Sequence, residues 1–116
     1  MTPAELTQAL KECAEYMGYE VSYYSGEHNM VNVNGEMKPL MSWAKYHRDY
    51  NWQIPLWQKI NKDLDKLMFN ADGSYSEHVD YILKAYDSFH SCIDSGTPAD
   101  SFPLVYAALK FVKENK

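Results

Sequence analysis

Residues Trp43–Leu67, WAKYHRDYNWQIPLWQKINKDLDKL, constrain this chain more than any other stretch, because they hold all three tryptophans and then run into its best amphipathic helix. Ile54, Trp57, Ile60 or Asn61, Leu64 and Leu67 recur at helical spacing, while Gln58, Lys59, Lys62, Asp63, Asp65 and Lys66 mark a wet face. One apolar stripe needs a surface to bury it, and the expected surface is a sheet. Asp49 or Asn51 can cap this helix. Pro55 leaves its first turn open, because a proline inside a helix removes a backbone donor.

The flanking segments supply that sheet and two further helices. Thr2-Pro3-Ala4-Glu5 places a cap, a tolerated first-turn proline and a capping-box glutamate in order, with Thr7 as the other possible cap. Leu6, Leu10, Cys13 or Ala14, and Met17 then form a stripe that Gly18 ends, so Cys13 reads as a small core residue. Tyr19–Tyr24 and Met30–Asn34 alternate as strands around a turn at 25–29, with Val31 and Val33 inward and Asn32 and Asn34 outward. Asn34-Gly35 begins another turn, and Pro39 interrupts regular structure.

Asn70–Ser74 is a clear break, and beyond it residues 75–93 satisfy two patterns. Ser74 and Glu77 resemble a capping box ahead of a helix through Val79, Ile82, Leu83, Tyr86 and Phe89; two short strands, Val79–Ala85 and Phe89–Ile93, fit equally. The last helix begins within Pro98–Pro103, with Ser101 a plausible cap, and buries Val105, Ala108 or Leu109, and Val112. The whole is expected to be one α+β domain over 1–116. A small antiparallel sheet is packed by an N-terminal, a central and a C-terminal helix.

Composition narrows the partners. Eleven basic against sixteen acidic residues give a net charge of −5, unfavourable for polyanions, so no strong nucleic-acid signal is present. No apolar run reaches membrane length, the N-terminus lacks a signal-peptide pattern, and the distant cysteines read as free thiols, which together point to a cytoplasmic protein. Ten tyrosines and three tryptophans give more polar-tipped aromatic surface than a core of this size needs, so some rings are expected outside.

Tyr46–Ile60, YHRDYNWQIPLWQKI, together with Leu104–Lys116, LVYAALKFVKENK, resembles a group of small phage and prophage proteins of Bacteroides-type hosts. Their pattern is YHxxWDWLMPVVEKI followed by a terminal VYxAVVxFIKWYN. Tyr46 and His47 match the opening pair, Trp52 the second tryptophan, Pro55 the proline, and Lys59-Ile60 the closing pair. Tyr50 stands at the first tryptophan position, Asn51 at the aspartate, and Leu56-Trp57 at the valines. Val105-Tyr106 and Phe111-Val112-Lys113 match near the end, where Glu114-Asn115 replace the last aromatic pair. The resemblance implies a viral accessory protein of mixed architecture, acting in the host cytoplasm, and a lineage rather than a reaction.

No sequence motif carries catalysis. His28, His47, Asp49, His78 and His90 are the residues worth testing for acid/base or metal chemistry, yet none forms HExxH or another specific ligand spacing. GxSxG, GxGxxG and GxxxxGK[ST] are all missing, so no catalytic residue, metal or cofactor is assigned. Recognition fits the aromatic segment better. Trp43, Tyr46, Tyr50 and Trp52 offer stacking area, Lys45 and Arg48 offer cations, and His47 a polar ring. The plainer alternative has Trp52 and Trp57 anchoring the central helix while the tyrosines shield the joint. Two roles follow: contact with a host or phage protein, such as inhibition of a host defence factor, or binding of a small anionic nucleotide-type ligand. A purely structural or assembly role is a third, and a homodimer formed through Phe111 or Tyr106 is a further expectation.

Overall fold

The computed structural model describes residues 1–24 and 28–115, and the side chains of Tyr24 and His28 lie outside the described set. The turn expected at 25–29 therefore falls largely outside it, as does the ligand role considered for His28. Within the described residues, five helices and three strands follow in the order α1 (Pro3–Tyr16), β1 (Glu20–Tyr24), β2 (His28–Val33), β3 (Glu36–Pro39), α2 (Leu40–Trp43), α3 (Tyr50–Met68), α4 (Val79–Ser95) and α5 (Pro98–Asn115). This is a single α+β domain with a small antiparallel sheet packed by helices, as the sequence implies. No helix among the described residues is long and apolar enough to cross a membrane.

The first helix forms as its local signals dictate. Thr2 accepts the Glu5 N–H at 3.2 Å, Pro3 opens the first turn, and Gly18 reverses the chain at φ 96°. Its stripe Ala9, Leu10, Cys13 and Ala14 is fully buried. The strands pair in the order β1-β2-β3, with Val21 opposite Val31 and Val31 opposite Lys38. Asn34 (φ 53°) and Gly35 (φ 89°) form the turn from β2 to β3, a left-handed pair that matches strand twist. The third strand and the short helix α2 were not expected from the sequence, and the strand relieves the marginality of a lone hairpin.

The sheet packs on α1 and α2, whereas α3 lies chiefly against α4 and α5, so the expectation that the central helix covers the sheet is corrected. Its buried face is also turned slightly: Gln53, Leu56, Trp57, Ile60 and Leu64 are inside, while Ile54 and Leu67 are only partly buried. Asp49 is the cap, accepting the Asn51 N–H at 2.9 Å. Trp57 meets Phe89 of α4 at 4.3 Å between ring centroids, which fixes the α3–α4 contact.

Residues 79–95 are one helix. The two-strand pattern fails because it needs Tyr81 and Leu83 on a buried face, and both are exposed while Ile82 and Phe89 are buried. The Ser74–Glu77 capping box does not form; Ser74 donates to Asp72 at 2.6 Å, and Ser76 instead accepts the His78 N–H at 3.1 Å. The last helix starts at Pro98, within the expected Pro98–Pro103 range, but Ser101 is not its cap. Asp100 reaches back to the Thr97 N–H at 2.9 Å, and Ser101 is buried, donating its hydroxyl to Gln53 of α3. Gln53 Nε2 donates to the Tyr46 and Pro98 carbonyls at 2.7 and 3.1 Å, so this buried pair locks the start of α3 to the start of α5.

Candidate functional site

The aromatic segment is held between two rigid neighbours, α2 before it and α3 after it. Trp43 ends α2, Trp52 lies in the first turn of α3, and the 44–49 link is braced by the Arg48 and Asp49 N–H groups, which both donate to the Lys45 carbonyl. The rings meet edge to face in a chain: Tyr19 to Trp43 at 4.7 Å, Trp43 to Trp52 at 4.8 Å, and Trp52 to Tyr46 at 5.2 Å. Such T-shaped contacts match the positive edge of one ring to the negative face of the next.

Burial divides this chain of rings. Tyr46 is 2% exposed, and burial pushes its hydroxyl above the usual tyrosine range, so it is the inner anchor. Trp43 and Trp52 are half-buried, and Tyr19 is exposed. These three rings form a ridge between two shallow hollows. One, of about 310 Å³, is lined by Lys38, Pro39, Ser42, Trp43, Lys45 and Trp52. The other, of about 180 Å³, is lined by Met17, Tyr19, Tyr46, Asn51, Trp52 and Pro55. Trp52 borders both.

The remaining candidates scatter. His47 turns toward α5, with Phe102 at 6.2 Å; burial, with help from Arg48, holds its imidazole below the ordinary histidine range, and Nδ1 has no hydrogen-bond partner among the described residues. Tyr50 donates to the Cys92 and Gly96 carbonyls at 3.4 and 3.3 Å, pinning the α4–α5 corner. Gly96 is required at that corner because a Cβ would stand 2.9 Å from the Cys92 carbonyl. Arg48 is exposed on the link and lines neither hollow. His78 and Tyr81 pack on Phe111, and Tyr106 donates to Glu12, so both residues suggested for a helix-mediated dimer are engaged within the chain.

Two site residues were not read from the sequence. Lys38 reaches the larger hollow from β3, and Tyr19 extends the ridge from the α1–β1 link. The signal for Lys38 was its place two residues past Glu36 in a strand that Asn34-Gly35 initiates. Among the described residues no cluster of three or more His, Cys, Asp or Glu side chains could hold a metal. Comparison with protein-family models, curated proteins and solved structures finds no match.

Proposed function

We propose that this chain is a small accessory binding protein that docks a protein partner on the Tyr19–Trp43–Trp52 ridge, in the phage or prophage setting implied by the resemblance at 46–60. The observation that carries this reading is the ridge itself: two half-buried indoles, fixed from behind by buried Tyr46 and flanked by a hollow on each side. Rigid aromatics lose little conformational freedom on binding and are enriched among residues that dominate interface energy. Lys38 and Lys45 at one rim suit a partner that sets a carboxylate beside an apolar side chain. The partner in this reading is a host protein, such as a defence factor whose action occupancy would block.

Affinity capture from host lysate, compared between the wild type and folded Trp43→Ala and Lys45→Glu variants, tests the reading. A partner should be retained by the wild type, lost with Trp43→Ala and weakened by about tenfold with Lys45→Glu. Equal recovery by all three removes the ridge as the docking surface.

The larger hollow supports a second reading. Two lysines beside two indoles can hold a small anionic ligand of nucleotide type, the indoles stacking a base while the ammonium groups meet phosphate. Ligand at about one hundred times its Kd adds about 2.7 kcal/mol to stability, so a nucleotide panel should raise the melting temperature if this is the role. A flat response across the panel eliminates it.

A further inference from the structure

A three-stranded sheet in the order β1-β2-β3 has two outer edges, and the two differ. Each edge strand leaves backbone N–H and C=O groups without a strand partner, which invites another chain to pair unless the edge is blunted. The β3 edge is blunted three times over: it is four residues long, ends in Pro39, and carries the charged pair Glu36 and Lys38. The β1 edge, EVSYY, has neither proline, glycine nor lysine, and its one charge is Glu20 at the start. Outside its ladder with β2, β1 makes no backbone-to-backbone hydrogen bond to any other segment among the described residues.

Side-chain placement adds a second, separate observation. Val21 pairs with Val31, which is fully buried, so this is the face turned to the helices. Tyr23 stands two residues on, on that same face, yet it is 67% exposed. The ring is on the covered side of the sheet and yet open to solvent, and the residue directly opposite it on β2 is the polar Asn29.

We propose that β1 is a self-association edge, and that two copies of this chain pair β1 to β1 antiparallel about a two-fold axis at Ser22. That register sets Val21 opposite Tyr23 of the second copy, twice by symmetry, and Glu20 opposite Tyr24. No like charges face one another, and each Tyr23, whose directly opposite residue within its own chain is Asn29, gains a β-branched residue directly opposite on its other side. The two sheets become one continuous sheet whose outer edges are both β3. Because β3 is blunted, pairing closes at two copies and does not propagate into a fibre. The inference does not rest on the binding role of the aromatic ridge.

Ser22 is the position that tests it, since only the residue on the axis meets its own copy. Sedimentation over a concentration series should show the wild type passing from monomer to dimer and no further. Ser22→Lys and Ser22→Asp each place two like charges across the axis and should raise the dimer Kd by about tenfold or more. An equimolar mixture of the two variants should recover association as a heterodimer. A wild type that stays monomeric, a dimer indifferent to both charges, or a mixture with no recovery overturns the proposal. Should either charged variant fail to fold, Ser22→Cys probes the same pairing: oxidation should cross-link it to a dimer, with Ser42→Cys as the uncross-linked control, and absence of that dimer refutes the pairing.

Discussion

The helical end of this molecule and its sheet end use tyrosine in opposite ways. Between helices, phenols are tied down: Tyr16 donates to Asp63 across α1 and α3, Tyr86 to Asp65 across α3 and α4, and Tyr106 to Glu12 across α1 and α5. At the sheet end, Tyr23 is exposed and Tyr19, also exposed, meets Trp43 edge to face. A buried apolar ring can seal a helix crossing while its hydroxyl reaches a carboxylate at the rim, which adds direction to an otherwise non-directional contact. The tyrosine excess is thus split between latches that hold the bundle and rings left open at the surface.

The comparison breaks first if the helical end does not hold the fold. Ile60 is fully buried on α3 amid the main core, and Ile60→Asp places an unpaired carboxylate there. The expected loss is about 4 kcal/mol or more, a large share of the stability of an ordinary domain. A thermal melt should show no cooperative transition near that of the wild type. A melting temperature within a few degrees of it would mean that the core is elsewhere.

Local signals made much of this end legible, and long-range ones did not. Thr2-Pro3 and Gly18 bracket α1 because capping and chain reversal depend on neighbouring residues. The apolar steps of α5 likewise revealed its buried face. Residues 79–89 remained double because Val79, Tyr81, Leu83 and Ala85 alternate while Val79, Ile82, Tyr86 and Phe89 also keep helical spacing; packing of Phe89 on Trp57 decides between them. Ser101 reads as a cap in isolation, since nothing local shows that Gln53 will receive its hydroxyl. The third strand was hidden by its brevity and by Pro39. At the site, Trp43, Lys45 and Trp52 were readable as one cluster, but Lys38 arrives through the pairing of β3 with β2 and Tyr19 from the α1–β1 link.

A milder probe acts on one latch. Tyr106→Phe removes the hydrogen bond to Glu12 but keeps the ring, and should cost about 1 kcal/mol at neutral pH. Burial alone would raise the Glu12 carboxyl, but Lys113, at 2.8 Å, and Tyr106 outweigh it and hold it below its ordinary value of 4.5. A group depressed in the folded state stabilises above its unfolded pKa, and that contribution fades as pH falls through the folded value. The gap in melting temperature between wild type and Tyr106→Phe should therefore be full at pH 7 and shrink below about pH 4.5. A gap that is constant across this range would show that the hydroxyl's contribution does not depend on the charge of Glu12.

The smallest effect belongs to the sheet end, and it gives the comparison its sharpest edge. Tyr23→Phe deletes a hydroxyl with no hydrogen-bond partner among the described residues, on a ring that is 67% exposed. Nothing is left unsatisfied, because the lost group was hydrated in the folded and unfolded chains alike. The change in stability should stay within about 0.5 kcal/mol, measured by urea unfolding at a dilution where the chain is monomeric. Placed beside Tyr106→Phe, the same atom is removed from the same residue type, so any difference reports environment alone. Equal losses at the two positions would show that the exposed tyrosines are structural after all, and that the sheet end holds no spare aromatic surface for a partner or a second copy.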